Sequence, residues 1–330
     1  MYRTSKSGNQ KFWKALASIA IFLLGVPPLC QADGSDQKSK LSESFVLEPV
    51  RVFYATEGES AINPADADHN GVPDRVEDVA RQVWAARKLF CEILGFPDPL
   101  SSVRFDGANC IQASLLDRSR INGLNGVAYR VAQKARPIPD GQPGDRALII
   151  AVATTVDPPR NATPAHEFFH LIQYGCTYVS NRWFLEGMAR WSERGLAPGG
   201  IGKTMLSSDT GWPQSDETRD RLFKMSYDAA LLLWNPLAEA VDPEGKLSTR
   251  ILPEELTTLK YSNGSNVLSD ELFSGAELMR DILIELGKID GQMMEELGYE
   301  KWTLANQGNV KNNDHIYDVV MEILRRQVGN

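Results

Sequence analysis

Two histidines four residues apart, in the run His166-Glu167-Phe168-Phe169-His170, are the residues of this 330-residue chain best suited to chemistry. On an α-helix, residues i and i+4 stand one above the other, so both imidazoles can reach one metal ion from a single rigid element. Glu167 lies beside them, where a carboxylate can take a proton from a water that the metal activates. Lewis acid and general base together are what amide hydrolysis at neutral pH requires. The chain holds four histidines in all, and residue frequency alone would give well under ~0.01 matches to this pattern. The expected chemistry is peptide hydrolysis on zinc.

A catalytic zinc takes three protein ligands and keeps one position open. The third candidate is Glu186, in Trp183-Phe184-Leu185-Glu186-Gly187-Met188-Ala189. It opens a second helical stretch, Glu186 to Arg194, whose Gly187 and Ala189 are small enough for close approach to the first helix. The segment from Ala162 to Gly195 resembles the gluzincin metallopeptidases. The likeness is greatest to secreted bacterial members that read His-Glu-Phe-Phe-His, then Gln-Tyr, then Trp, Glu and a further Trp-x-Glu. Here those positions are Gln173-Tyr174, Trp183, Glu186 and Trp191-Ser192-Glu193.

That resemblance implies His166, His170 and Glu186 as zinc ligands and Glu167 as the base. The aspartate that some members place four residues after the third ligand is replaced by Arg190, which leaves Glu193 to orient a histidine. The resemblance also implies an edge strand that pairs with an extended substrate, here Gly126 to Arg130 with Val127, Ala128 and Tyr129 at its centre. Tyr227 is the position suited to hydrogen-bonding the oxyanion. The ligand spacing differs from that of the aminopeptidase branch and points to endopeptidase action. A rival third ligand, Cys110, lacks the glutamine-glutamate-glycine lead of deformylase-like enzymes.

A second motif runs from Asp66 to Glu77 and matches the twelve-residue calcium loop, with acids at positions one, three and twelve and glycine at six. Its oxygen ligands would be Asp66, Asp68, Asn70, the Val72 carbonyl, Asp74 and Glu77. Pro73 is foreign to a paired EF-hand and favours an isolated loop. The calcium (Ca2+) role is structural, beside the catalytic zinc (Zn2+). The competing reading of the whole chain is a non-catalytic, calcium-stabilised secreted or surface binding protein that keeps a structural metal site.

Residues 1–32 read as a secretory signal peptide: Arg3, Lys6, Lys11 and Lys14 without acids, an apolar run from Ala15 to Leu24, and cleavage after Ala32. Leu29 disfavours a lipoprotein anchor at Cys30. Cleavage would leave 31 basic against 43 acidic residues, a formal charge of −12, which excludes nucleic acid as an expected partner. No other segment is apolar enough to span a membrane. Of Cys91, Cys110 and Cys176, the pair Cys91–Cys110 is the expected disulfide because it is nearest in sequence.

The positioning elements form an α+β fold, with a zincin-like half over residues 45–198 after a flexible lead-in at 33–44, and a mainly helical half over 199–330. Strands are expected at Val50 to Ala55, Val103 to Phe105, Gly126 to Ala132 and Ala147 to Ala153, the last apolar enough to be central. Helices are expected from Asp74 to Leu94 and from Thr163 to Gly175, with Thr163 as N-cap and Pro164 at the first helical position. Further helices should cover Arg219 to Ala240, Ser274 to Leu286 and His315 to Gln327, where His315 is a helix-start residue rather than a ligand.

Overall fold

The computed structural model describes residues 41–138, 145–196, 215–245, 247, 252–269 and 273–328. The expected signal peptide, the cleavage point and most of the lead-in lie outside the described residues. The described residues all belong to one compact unit, and its main apolar core runs from Val50 to Leu324 across both expected halves. The fold is α+β with a mixed six-stranded sheet.

Strand β1 (Glu43–Leu47) turns antiparallel onto β2 (Val50–Tyr54), so the lead-in already carries structure at Glu43 and Ser44. Helix α1 (Asp74–Arg87) follows and runs on as a π-helical turn, Lys88–Ile93. Then come β3 (Ala108–Leu116), β4 (Gly126–Ala128), β5 (Gln133–Lys134) and β6 (Arg146–Ala153). The sheet order is β1-β2-β3-β6-β4, with β5 also on β6. β2, β3 and β6 are parallel, and β4 and β5 return antiparallel to β6. β6 is therefore central, as its apolar run predicts: every residue from Ala147 to Ala153 is buried.

Two strand expectations fail. Val103–Phe105 is a 3-10 turn, closed by the Ser102 hydroxyl accepting from Arg104 N–H, with Val103 95% exposed. The β-branched and aromatic residues looked like a strand, but the ladder begins five residues later at Ala108. The expected strand from Gly126 to Ala132 stops at Ala128.

Helix α2 (Thr163–Cys176) leaves β6 through a short loop and carries the paired histidines. Its cap is one step earlier than expected. Thr163 is inside the helix, and Asn161 Oδ1 accepts from the Thr163 N–H at 2.8 Å. Gln82 of α1, fully buried, accepts from Ala165 N–H and donates to the Asn161 carbonyl. The neighbouring helix thus satisfies backbone groups that the local sequence leaves open.

Helix α3 (Arg182–Ser192) begins four residues before the expected start and continues as a 3-10 turn through Gly195. The C-terminal half supplies α4 (Asp216–Phe223), a π-helical turn Ala230–Trp234, α5 (Asn235–Val241), α6 (Glu254–Thr257), α7 (Ala276–Glu296), α8 (Leu304–Gln307) and α9 (Asn312–Val328). The helix expected over Arg219 to Ala240 is thus interrupted between Phe223 and Ala230. Among the described residues no helix is long and apolar enough to cross a membrane.

Cys91, Cys110 and Cys176 are all free thiols, so the expected Cys91–Cys110 bridge is absent. Proximity in sequence misled, because Cys110 belongs to β3 and packs among Ala135, Ala147 and Ile149. Desolvation instead pushes the Cys91 thiol well above its usual pKa.

Gly187 serves a different neighbour from the one its size suggested. A Cβ there would lie 2.6 Å from Trp234 Nε1 and 2.9 Å from Ala229 Cβ, so the glycine seats α3 on the C-terminal half rather than on α2. Trp234 Nε1 donates to the Trp183 carbonyl at 3.1 Å, and the two indoles stack at 6.0 Å. Replacing Gly187 with Ala should destabilise the protein by about 1–3 kcal/mol, the cost of overpacking a filled core. Urea unfolding measures this, and an unchanged midpoint would refute the packing role.

Candidate metal centre

Helix α2 places His166 and His170 on one face, with ring centroids 4.6 Å apart. Helix α3 delivers Glu186 against them. Its Oε2 lies 3.4 Å from His166 Nε2 and 3.7 Å from His170 Nε2. A zinc with bonds near 2.0–2.1 Å separates tetrahedral ligand atoms by about 3.4 Å, close to the spacing of Glu186 from each imidazole. Among the described residues this is the one group of three acidic, histidine or cysteine side chains whose ligand atoms all lie within 4.8 Å of one another. Cys110 is not in it.

Each imidazole is fixed from behind. His166 Nδ1–H donates to Glu193 Oε1 at 2.8 Å, which turns Nε2 toward Glu186. His170 Nδ1–H donates to Gln173 Oε1 at 2.8 Å. The Gln173 amide cannot turn its nitrogen to the ring, because that nitrogen already donates to the Leu185 carbonyl. Glu193 therefore has the place the sequence reading assigned it. The function of Gln173 went unread, although its position one turn after His170 on the same helix was the available signal.

Tyr227 reaches the site, but its hydroxyl donates to Glu193 Oε1 at 2.5 Å instead of facing a substrate. Its ring lies 5.6 Å from that of His166 and carries the Arg190 guanidinium 4.2 Å above it. Arg190, standing where an aspartate would orient a histidine, pairs with Asp228 at 2.9 Å. In this arrangement Tyr227 holds the carboxylate that holds the histidine.

Glu167 is buried and lies against β4. The outward N–H of Ala128 donates to its carboxylate. A Cβ on Gly126 would fall 2.5 Å from Glu167 Oε1, so only glycine lets the strand come this close. β4 is an edge strand, as expected, but its hydrogen-bonding phase is specific. Tyr129 N–H donates to the Ile149 carbonyl and Ala153 N–H to the Asn125 carbonyl. By alternation, Asn125, Val127 and Tyr129 face β6, while Gly126 and Ala128 turn their backbone groups to the open edge. Of Val127, Ala128 and Tyr129, only Ala128 turns its main chain to the open edge, where Glu167 takes its N–H.

Charge distribution matches a cation site. Burial alone would lower the His166 pKa, but hydrogen bonds to Glu186 and Glu193 outweigh it and raise it to about 10. Burial would raise Glu186, but the two imidazoles draw it far below the usual carboxylate range. The donor set is stabilised by positive charge at its centre. Glu167, by contrast, is raised by burial, with the imidazoles opposing. A raised carboxyl is a stronger base.

The calcium-motif loop folds as a tight turn but does not gather its acids. Gly71, sixth in the motif, has φ +88° and nothing near its Cα. Asp66 accepts from the Asn70 and Gly71 N–H groups, and Asp74 Oδ1 from Ala67 N–H. The Asn70 amide sits between Asp68 Oδ2 and Glu77 Oε1, 3.1 Å from each. Glu77 is buried, and its Oε2 has no hydrogen-bond partner. His315 lies in the first turn of α9 beside Glu296, away from the paired histidines, as a helix-start residue.

Comparison with protein-family models, curated proteins and solved structures yields no match to this chain. Its function is therefore read from the site alone.

Replacing Glu193 with Gln should weaken zinc binding by about 10- to 100-fold, since a neutral amide holds the Nδ1 proton less strongly. A competition titration against a chelator measures this. Unchanged affinity would show that the carboxylate does not tune the ligand.

Proposed function

We propose that the chain is a zinc-dependent peptidase of gluzincin type, exported from the cytoplasm and stabilised by calcium. The observation that carries this reading is the convergence of His166 Nε2, His170 Nε2 and Glu186 Oε2 with the Glu167 carboxylate beside an open strand edge. His166, His170 and Glu186 would hold the metal. Once bound, zinc supplies Lewis acidity to the attacking water and to the scissile carbonyl. Glu167 accepts the proton of the attacking water and passes it to the leaving amine. Glu193 and Gln173 keep both imidazoles in the ligating tautomer, and Tyr227 holds Glu193. Gly126 and Ala128 lay the substrate backbone along the sheet edge beside the base.

Glu167→Gln keeps the shape of the site and removes the base. Peptide hydrolysis should fall by at least about 100-fold, while zinc content and the thermal midpoint stay near those of the parent. Retained activity would end the assignment.

Calcium binding is supported by the turn at Gly71 and by the buried, unpartnered Glu77 oxygen at the loop's last position. Rotation of the Asn70 amide by half a turn would present oxygen where nitrogen now bridges Asp68 and Glu77, and only a cation makes that exchange favourable. Saturating calcium should raise the thermal midpoint by about 5 °C, and Glu77→Gln should remove the response. A midpoint indifferent to calcium in the parent protein would dismiss the site.

A further inference from the structure

Just past the end of β4, Arg130 carries a positive charge that no acid of the described residues pairs with. Other half-buried arginines in the neighbourhood are paired: Arg104 with Asp290, and Arg190 with Asp228. The partners of Arg130 are neutral. Its Nη1 donates to Gln307 Oε1 of α8 at 2.6 Å, and its guanidinium stands 4.8 Å over the Tyr174 ring. Tyr174 in turn stacks on His170 at 5.8 Å, with the rings inclined by only 16°. His170, an aromatic ring and a cation thus form one continuous stack leading away from the paired histidines.

Two measures of distance agree. The two steps of the stack carry the guanidinium no farther than about 11 Å from the His170 ring, which is the span of roughly three extended residues. Along the chain, Arg130 lies two residues past Ala128, whose N–H meets Glu167, just beyond the end of β4. Two residues of extended chain span at most about 7 Å. A peptide added to this edge with its scissile bond at Glu167 would therefore meet Arg130 two or three residues from the cut.

We propose that Arg130 is a specificity-determining residue that receives a carboxylate of the substrate two or three residues from the scissile bond. This rests on the peptidase reading above. A guanidinium carries five N–H donors in a planar fork suited to a carboxylate, and Gln307 holds one nitrogen so that the fork is set in place. Tyr174 fixes its plane from below. Arg130 also offers attraction to an anionic substrate that the net negative charge of the chain would otherwise repel. The carboxylate has two sources, separated by strand direction. β4 runs from Glu167 toward Arg130, so an antiparallel peptide would bring an Asp or Glu side chain from before the cut. A parallel peptide would bring its C-terminal carboxylate from after it.

The test is equilibrium binding to the full mature chain carrying Glu167→Gln and loaded with zinc, so that binding is read without turnover. Three N-acetylated peptides of one length are compared: neutral and amidated, amidated with one Glu moved along the sequence, and neutral with a free C-terminus. One of the charged peptides should bind about tenfold tighter than the neutral amide, and the advantage should shrink with added salt. Adding Arg130→Gln should bring the ratio of affinities close to one, and Arg130→Lys should restore part of it at an unchanged thermal midpoint. Equal binding of all three peptides, no binding of any, or discrimination that survives Arg130→Gln would overturn the proposal. Failure of the peptidase reading is seen separately, as absence of cleavage when the Glu167 parent is given peptides that bind.

Discussion

Two imidazoles and three carboxylates crowd one largely buried volume, and such a cluster is stable only with positive charge among the carboxylates. Glu167 and Glu193 are 6% and 4% exposed, and neither has a lysine or arginine as ion-pair partner among the described residues. A buried acid without compensation costs several kcal/mol. The compensation here is the histidine pair, with His166 raised and Glu186 lowered by one another. A divalent cation would exchange for the proton on the same nitrogens and would serve Glu186 and both rings at once. The arrangement is thus a trap for positive charge that happens to leave one side, at Glu186, more open than the rest, with 27% of that side chain exposed against 8% and 5% for the histidines.

Holding such a trap requires rigid backing, and the C-terminal half provides it. Glu186 would have no fixed position if α3 could slide on α2. Trp183 prevents that: its indole N–H donates to Asn313 Oδ1 at 2.8 Å, while its ring stacks on Trp234. Asn313 also accepts from Asn181 Nδ2, immediately before α3. At the other end, Trp191 donates to the Ser274 carbonyl and packs on Phe169 and Phe273. Three tryptophans therefore fasten the ligand-bearing helix to segments more than forty residues away in sequence. The two halves are parts of one core.

How much of this was legible in the sequence depended on the range of each interaction. The i, i+4 histidines with Glu167 between them are spaced by helix geometry and could be read directly, while Glu186 and Glu193 were picked out by the resemblance of the segment that follows. The central β6 announced itself by an unbroken apolar run. What stayed hidden was long-range: Gln82 reaching over from α1 to cap α2, Asn313 receiving Trp183, and Gly187 making room for Trp234. None of these leaves a periodic signal. Val103–Phe105 misled for the opposite reason, since its local strand character was overruled by a cap at Ser102. The edge at Gly126 to Ala128 was found, but its phase depends on which side β6 occupies, and no single strand carries that information.

That phase links recognition to chemistry. The Ala128 N–H that meets Glu167 is also an outward donor on the edge, the kind of group an added strand would use. Gly126, two residues earlier and in the same phase, is where a side chain would push base and edge apart. A backbone added to this edge would be brought within reach of Glu167 by the same two residues that lie against the carboxylate. Glu167 itself belongs to α2, so displacement of the strand would move that backbone relative to the carboxylate, and the Ala128 N–H and the close approach at Gly126 are what hold strand and carboxylate in register. The alignment of Glu167 with His166 and His170 needs no such contact, because all three share α2.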